Sequence, residues 1–298
     1  MTDLPPQRVS PIFSPEEYVL PARPAGAPAA VLDAFRQTQF LLGADLDLFA
    51  EAMNLQLRLV KDAYPSRYRS HSLAAMMALW SRAYVYLGDA LALLTRASYP
   101  STLPLVCAAC EVIAAAEGLR AGEMAEHHRW LAGTLRPNET FKAFEFELGR
   151  YFSGETLASD PVLRSVYRPA SDLSRPSFGA TLLQVAPESS QSRVAITFAD
   201  ASFHLGWAEL ALGWLLALAA RQLRVVVDAS TGSAQAPPVF PVSDERRAAY
   251  EALQRRIDAA LARADRCRVE EVEEGNGRRY LVHGFRRKSG TPPKKVLL

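Results

Sequence analysis

Glu111 and Glu209 are the residues most able to do chemistry, because each is an isolated carboxylate in a stretch that is otherwise apolar on most faces, Leu105–Leu119 and Leu205–Ala220. A charge left unpaired inside such a helix costs several kcal/mol or shifts its pKa, so each needs a partner. Arg120, His127, Arg175, His204 and Arg221 are the candidates, and spacing alone does not say which of them converge. Glu111, Glu209, Arg175 and His204 are therefore expected to form a buried polar network or to line a ligand pocket.

Cys107 and Cys110 have the two-residue spacing of a redox or zinc pair, which requires thiolates in electropositive or metal-bound surroundings. They lie inside an apolar helical run, and no second cysteine pair completes a tetrahedral site. The expectation is two small core residues. His127 and His128 cannot both complete a metal site from the next helix, since adjacent helical residues point about 100° apart. No metal and no cofactor is expected. The sequence contains no Glu-x-x-His, His-Glu-x-x-His, Walker A or Gly-x-Ser-x-Gly motif.

Two local patterns carry a family resemblance. Arg120 and His127, with six residues between them, resemble the Arg-x(4–6)-His pattern of HEPN ribonucleases. The segment Tyr167-Arg168-Pro169-Ala170-Ser171-Asp172-Leu173-Ser174-Arg175-Pro176-Ser177, following Cys110-Glu111 on an apolar helix, is similar to poorly characterised bacterial helical proteins, HEPN-like in some cases. In those a helix bearing Glu precedes a Tyr, Ser and His-Pro segment. The resemblance spans about residues 70–220. It implies a helical fold and metal-independent RNA cleavage by paired protomers, with Arg120 and His127 as the active pair and Glu111 in support. Arg175 stands where the pattern has His, which removes a group that titrates near neutrality. Arg120, Arg168 and Arg175 could instead gather as an anion-binding patch.

The elements that must position these residues are mostly helices. Seven prolines before Ala29 mark residues 1–28 as an extended, disordered arm. From Ala29 to Pro65 the apolar spacing predicts helices interrupted near Gly43. Leu73, Met76, Met77, Trp80, Tyr84, Leu87, Leu91 and Leu94 then recur every three or four residues, with Arg82, Asp89 and Arg96 on the solvated face. Pro100 and Pro104 mark a turn and the start of the helix that bears Glu111. Further helices are expected over Glu123–Leu135, Thr140–Tyr151 and Val162–Tyr167. Thr181–Ala186 and Arg193–Phe198 are expected to pair as strands. A long central helix covers about Asp200 to Val227. Ser243 caps a last helix running to about Arg266, with Asp244 and Glu245 in its first turn and Arg246 where a capping box would have Glu or Gln. Arg268–Glu273 and Arg278–Phe285 flank Glu274-Gly275-Asn276-Gly277 as a hairpin.

Composition bounds the function. The chain has 298 residues, 49% hydrophobic and 22% charged, with a formal charge of +2 that gives no global field to recruit nucleic acid or an acidic membrane. Three cysteines suit a reducing cytoplasm. The start lacks a secretory signal, and the apolar run Leu205–Ala220 falls short of the roughly 20 residues that cross a bilayer, so no membrane insertion is expected. The expected architecture is mainly α: a multi-helix bundle over 29–231, a linker at 232–242, a C-terminal helix plus β-hairpin appendage at 243–285, and a basic tail at 286–298. No nucleophile, base and orienting group share a recognisable spacing, which favours a non-catalytic binding or interaction module over the HEPN-like ribonuclease. The partner is open: a homodimer, or RNA under the ribonuclease reading.

Overall fold

Apolar residues at helical spacing, interrupted by proline and glycine, become a mainly α-helical bundle in the computed structural model. It describes residues 10–11, 13–63, 71–121, 135–138, 143–146, 153–189, 192–231, 240–274, 277–285 and 294–297. Among these are eight helices: α1 Ala29–Ala63, α2 His71–Leu94, α3 Tyr99–Ala121, α4 Gly154–Ser159, α5 Pro161–Ser174, α6 Phe178–Val185, α7 Leu205–Ala229 and α8 Asp244–Leu261. Two antiparallel sheets accompany them: β1 Leu135–Asn138 with β2 Ala143–Phe146, and β3 Arg268–Glu274, β4 Gly277–Phe285 and β5 Lys294–Leu297 in that order.

The interruption expected near Gly43 is a kink, not a break. Leu42 has φ −120° and ψ 17°, and α1 continues for about 50 Å in all. Beyond the kink, Leu46, Phe49, Met53 and Leu59 are fully buried. On α2, Trp80 is buried and donates from Nε1 to Gln56 Oε1 at 2.8 Å, while Arg82, Asp89 and Arg96 are exposed as expected. Helix α3 packs along α2, α5 and α7, and so buries side chains around most of its circumference. It begins at Tyr99, earlier than the prolines suggest; Thr102 N still reaches Ser98 O at 3.1 Å, and Pro104 sits exposed within the helix. Helix α7 is the central element, touching α1, α2, α3, α5 and α8.

Several expectations fail for identifiable reasons. Thr181–Val185 lies in helix α6, not in a strand, because Ser177 Oγ caps the helix at Ala180 N and Ala180 and Leu183 bury one turn apart. Residues 143–146, assigned to a helix, form β2; Ala-Phe-Glu-Phe alternates with period two, and Pro137 withholds a helical donor in β1. Leu135, expected to end a helix, starts β1, and the remainder of the helices expected at 123–135 and 140–151 lies outside the described residues. Lys294 and Lys295, assigned to a basic tail, belong to β5, which pairs Val296 with Val282 and Leu297 with Leu281. Helix α8 ends at Leu261, and the chain to Arg266 turns inward. The described part of the proline-rich arm is tied down: Tyr18 N donates to Asn54 Oδ1 at 2.8 Å, and its ring meets Phe49 and Tyr84 edge-on. Phe240, placed in the linker, is buried and stacks on Trp80.

The apolar run expected to be too short for a bilayer extends past Ala220 to Ala229. Tyr99–Arg120 and Leu205–Ala229 are both long and apolar enough to cross a membrane by length and composition, and both are mostly buried within the fold.

A buried ion pair joins α1 to the turn that follows α8. Arg266 Nη1 lies 2.6 Å from Asp45 Oδ2, both side chains 3% exposed, and Arg266 Nη2 donates to the Glu209 carbonyl at 3.3 Å. Gly213 makes the slot: a Cβ there would stand 3.0 Å from Arg266 Nε. Removing one partner strands the other charge in the core. Asp45→Ala is therefore expected to cost about 3–5 kcal/mol in urea unfolding, and Gly213→Ala to cost stability by displacing the guanidinium; an Asp45→Ala loss below about 1 kcal/mol would show that the pair does not hold the fold.

Candidate functional site

The place where polar groups converge on solvent is the seam between α3 and α5. Cys107 and Glu111 are four residues apart on α3, and Tyr167, Ser171 and Ser174 follow at helical spacing along α5, so the two rows face each other; Arg175 is the C-cap just beyond, on extended backbone. Tyr167 Oη donates to Glu111 Oε1 at 3.0 Å. Ser171 lies close enough to the Tyr167 hydroxyl, and Ser174 to the Cys107 thiol, to oppose the rise of each group's pKa, while Ser174 Oγ donates to the Ala170 carbonyl at 2.7 Å. Glu111 and Arg175 are exposed, while Tyr167 and Cys107 are half-buried. Arg175 has Asp172 at 3.8 Å.

The C-terminal sheet fixes α5 from its other side. Arg168 Nη1 donates to both oxygens of Glu271, at 2.9 and 3.1 Å, and Tyr280 Oη donates to Asp172 Oδ2 at 2.6 Å. Asp160 Oδ1 caps the start of α5 at Leu163 N, with Pro161 as first helical residue. The α5 row is thus held at its start by a cap and along its length by the sheet.

The electrostatics disfavour nucleophilic chemistry here. Burial pushes the Cys107 thiol up to about 11, with Glu111 adding to the rise and Ser174 and Arg175 opposing it. Cys110 is fully buried and is raised further, so the pair packs as small core thiols. Burial and the Glu111 carboxylate also raise Tyr167. No group of three His, Cys, Asp or Glu residues able to hold a metal ion occurs among the described residues.

The structure separates the predicted site residues. Glu111 is exposed, contrary to the expected buried network, because α3 leaves the strip bearing it uncovered. Glu209 is buried in a different network: its Oε2 accepts from Cys267 N at 3.2 Å, capping the start of the sheet beside Arg266. His204 is the N-cap of α7, with Nδ1 accepting from Trp207 N at 3.2 Å and its backbone N donating to Tyr99 Oη at 3.0 Å; its ring lies 4.5 Å from that of Phe285. An accepting Nδ1 fixes the neutral tautomer with the proton on Nε2. Glu111 and Arg175 both act on Cys107 at the seam without touching each other in any hydrogen bond or ion pair, whereas Glu209 and His204 serve packing elsewhere.

Arg120 is committed within the fold. Its Nε and Nη2 donate to Glu117 at 2.7 and 2.6 Å, and Glu117 also lies 3.4 Å from Arg221, which pairs with Asp160 at 2.7 Å. His127 and His128 lie outside the described residues. Glu117, Asp160, Asp45 and Arg266 were missed by the sequence reading. Glu117-x-x-Arg120 spacing and the Asp160-Pro161 cap were the available signals for two of them; nothing local marks Asp45 or Arg266, 221 residues apart.

Gln222 on α7 is fully buried with neither amide atom hydrogen-bonded. An unmet amide costs roughly 1–3 kcal/mol, so Gln222→Leu should raise stability in urea unfolding; a drop would contradict an unmet amide at this position. The Cys107 thiol tests the seam by pH. Its folded pKa lies above the ordinary thiol value of 9.0, so its contribution to stability is complete below about pH 9 and is lost as pH rises through about 11. Alkylation of native protein at Cys107 should be slow at pH 8 and accelerate towards pH 11, and rapid reaction at pH 8 would contradict the geometry. The chain matches no family model, no curated protein and no solved structure, so the reading of its function rests on this geometry alone.

Proposed function

We propose that the chain is a non-catalytic interaction module that holds a polypeptide partner at the α3–α5 seam. One observation carries the reading: Glu111 and Arg175 present charges of opposite sign to solvent around a thiol that is held protonated. Such a face recognises paired acidic and basic side chains and supplies hydrogen bonds, while lacking an activated nucleophile. The Arg168–Glu271 and Tyr280–Asp172 contacts make α5 a rigid platform, which limits the ordering cost of binding.

The ribonuclease reading meets an obstacle at Arg120. Its guanidinium would have to leave two charge-assisted bonds to Glu117 before it could serve a scissile phosphate.

Two measurements test the proposal. Purified protein without added metal should leave labelled RNA intact. Tagged Glu111→Lys and Arg175→Glu variants, folded by circular dichroism, should each lose a protein that the wild type retains through size-exclusion chromatography of native complexes. Retention of the same protein by both variants would reject the seam as the binding face. RNA cleavage that disappears in Arg120→Ala would reject the non-catalytic reading itself.

A further inference from the structure

The segment before α1 doubles back along it. Its backbone N–H and carbonyl at Tyr18 both bond the Asn54 side chain, and the chain turns at Ala25–Gly26 before α1 begins at Ala29. Gly26 has φ +69°, a left-handed conformation that L side chains rarely adopt, which is why glycine stands at this turn. Between the segment and the part of α1 before the Leu42 kink lies a cleft of about 660 Å³. Arg23 lines it from the segment, and Leu32, Asp33, Phe35, Arg36 and Phe40 line it from the helix.

Helical geometry explains why the cleft stays open. Ala34, Thr38 and Leu42 are buried at four-residue spacing and mark the face of α1 turned to the core. Leu32, Asp33, Arg36 and Phe40 fall on the opposite face, so the Phe40 ring remains 83% exposed. The volume lies within the roughly 300–1,000 Å³ of small-molecule sites.

The charges select the occupant. Arg36 pairs with Asp33 on the preceding turn, so those two charges cancel. Arg23 makes no hydrogen bond or ion pair among the described residues, which leaves the cleft one net positive charge beside two aromatic rings. A guanidinium meets a carboxylate or sulfonate in a planar fork and also stacks on aromatic faces, so an anion carried on a ring satisfies both halves of the lining. An anionic membrane would require a cluster of unpaired basic residues, and the cleft has one. We propose that this cleft binds a small aromatic monoanion, its ring against Phe35 and Phe40 and its carboxylate or sulfonate on Arg23. The site shares no residue with the α3–α5 seam, so it stands or falls separately from the polypeptide-binding reading.

Fluorescence titration of the full chain with anilinonaphthalene sulfonate, an aromatic monoanion whose emission rises on leaving water, tests the site. The wild type should bind a single dye saturably. Arg23→Glu and Phe40→Ala, both at exposed positions and checked for folding by circular dichroism, should each weaken binding by about tenfold or more. Phenylnaphthylamine, the same ring system without the sulfonate, should bind the wild type about tenfold more weakly and respond to Phe40→Ala but not to Arg23→Glu. Phe198→Ser, which removes an exposed ring from the segment after α6, should leave the dye affinity unchanged. Absence of saturable binding, binding indifferent to Arg23→Glu or to Phe40→Ala, equal affinity for the neutral analogue, or loss of binding in Phe198→Ser would each overturn the proposal.

Discussion

The Asp45–Arg266 pair is the constraint on which the joining of α1, α7 and the start of the C-terminal sheet depends. Two charges in the core of an apolar bundle are tolerable only if they meet each other and most of their remaining hydrogen-bonding groups are met; here Arg263 also approaches Asp45, at 3.6 Å, and Arg266 Nε alone is left without a partner on that guanidinium. Asp45 comes just after the kink of α1, Arg266 from the turn after α8, and between them Arg266 Nη2 takes the Glu209 carbonyl of α7. One guanidinium therefore fixes three parts of the chain at one point. The consequences run outward: Glu209 Oε2 receives Cys267 N, which starts β3 at a fixed place, and β4 then brings Phe285 against His204 and Trp207 at the head of α7.

From that anchor the sheet reaches α5. Arg168–Glu271 and Asp172–Tyr280 link two helical turns of α5 to two strands, and the N-cap at Asp160 is itself held by Arg221 of α7. The position of the α3–α5 seam is thus set by charged and hydrogen-bonded contacts on the outside of α5 as much as by Leu163, Val166 and Leu173 beneath it. Bonds to charged groups are directional, and apolar burial is not. The apolar residues hold α5 down, and the polar ones decide which of its residues face Glu111.

Much of the fold was legible because helical periodicity is a local signal. The α2 pattern, the apolar girth of α3, the Ser243 cap and the hairpin register at Glu274–Gly277 all follow from residues within a few turns of one another. The failures were of another kind. In Thr181–Val185, β-branched and apolar residues suggest a strand, but the Ser177 cap and the bond from Trp207 Nε1 to the Leu183 carbonyl favour α6, and the second is contributed from 24 residues away. β5 depends on pairing with β4, which no property of Lys294–Leu297 alone reveals. The site was legible in its parts, Glu111, Tyr167, Ser171, Arg175 and Cys107, and illegible in its grouping. Glu209 and His204 have the same sequence character as Glu111 and Arg175 and yet act in packing.

The meaning of Glu111 shows why that grouping could not be read directly. A carboxylate set in the apolar stretch of a helix has two explanations: a buried partner, or a gap in the cover around the helix. Glu209 is the first case and Glu111 the second, although both helices are apolar enough to meet the length and composition of a membrane span. The difference is the number of neighbours. Helix α7 is wrapped by α1, α2, α3, α5 and α8, so Glu209 has no route to water and must be met by Cys267 N. Helix α3 is covered by α2, α5 and α7 but open along the edge of α5, where Glu111 keeps one oxygen on Tyr167 and its charge in solvent. A half-buried Cys107 one turn earlier marks the same edge. An exposed charge in an apolar helix is therefore informative about function in a way that a buried one is not: the buried charge is bound by its own fold, and the exposed one is left available to another molecule.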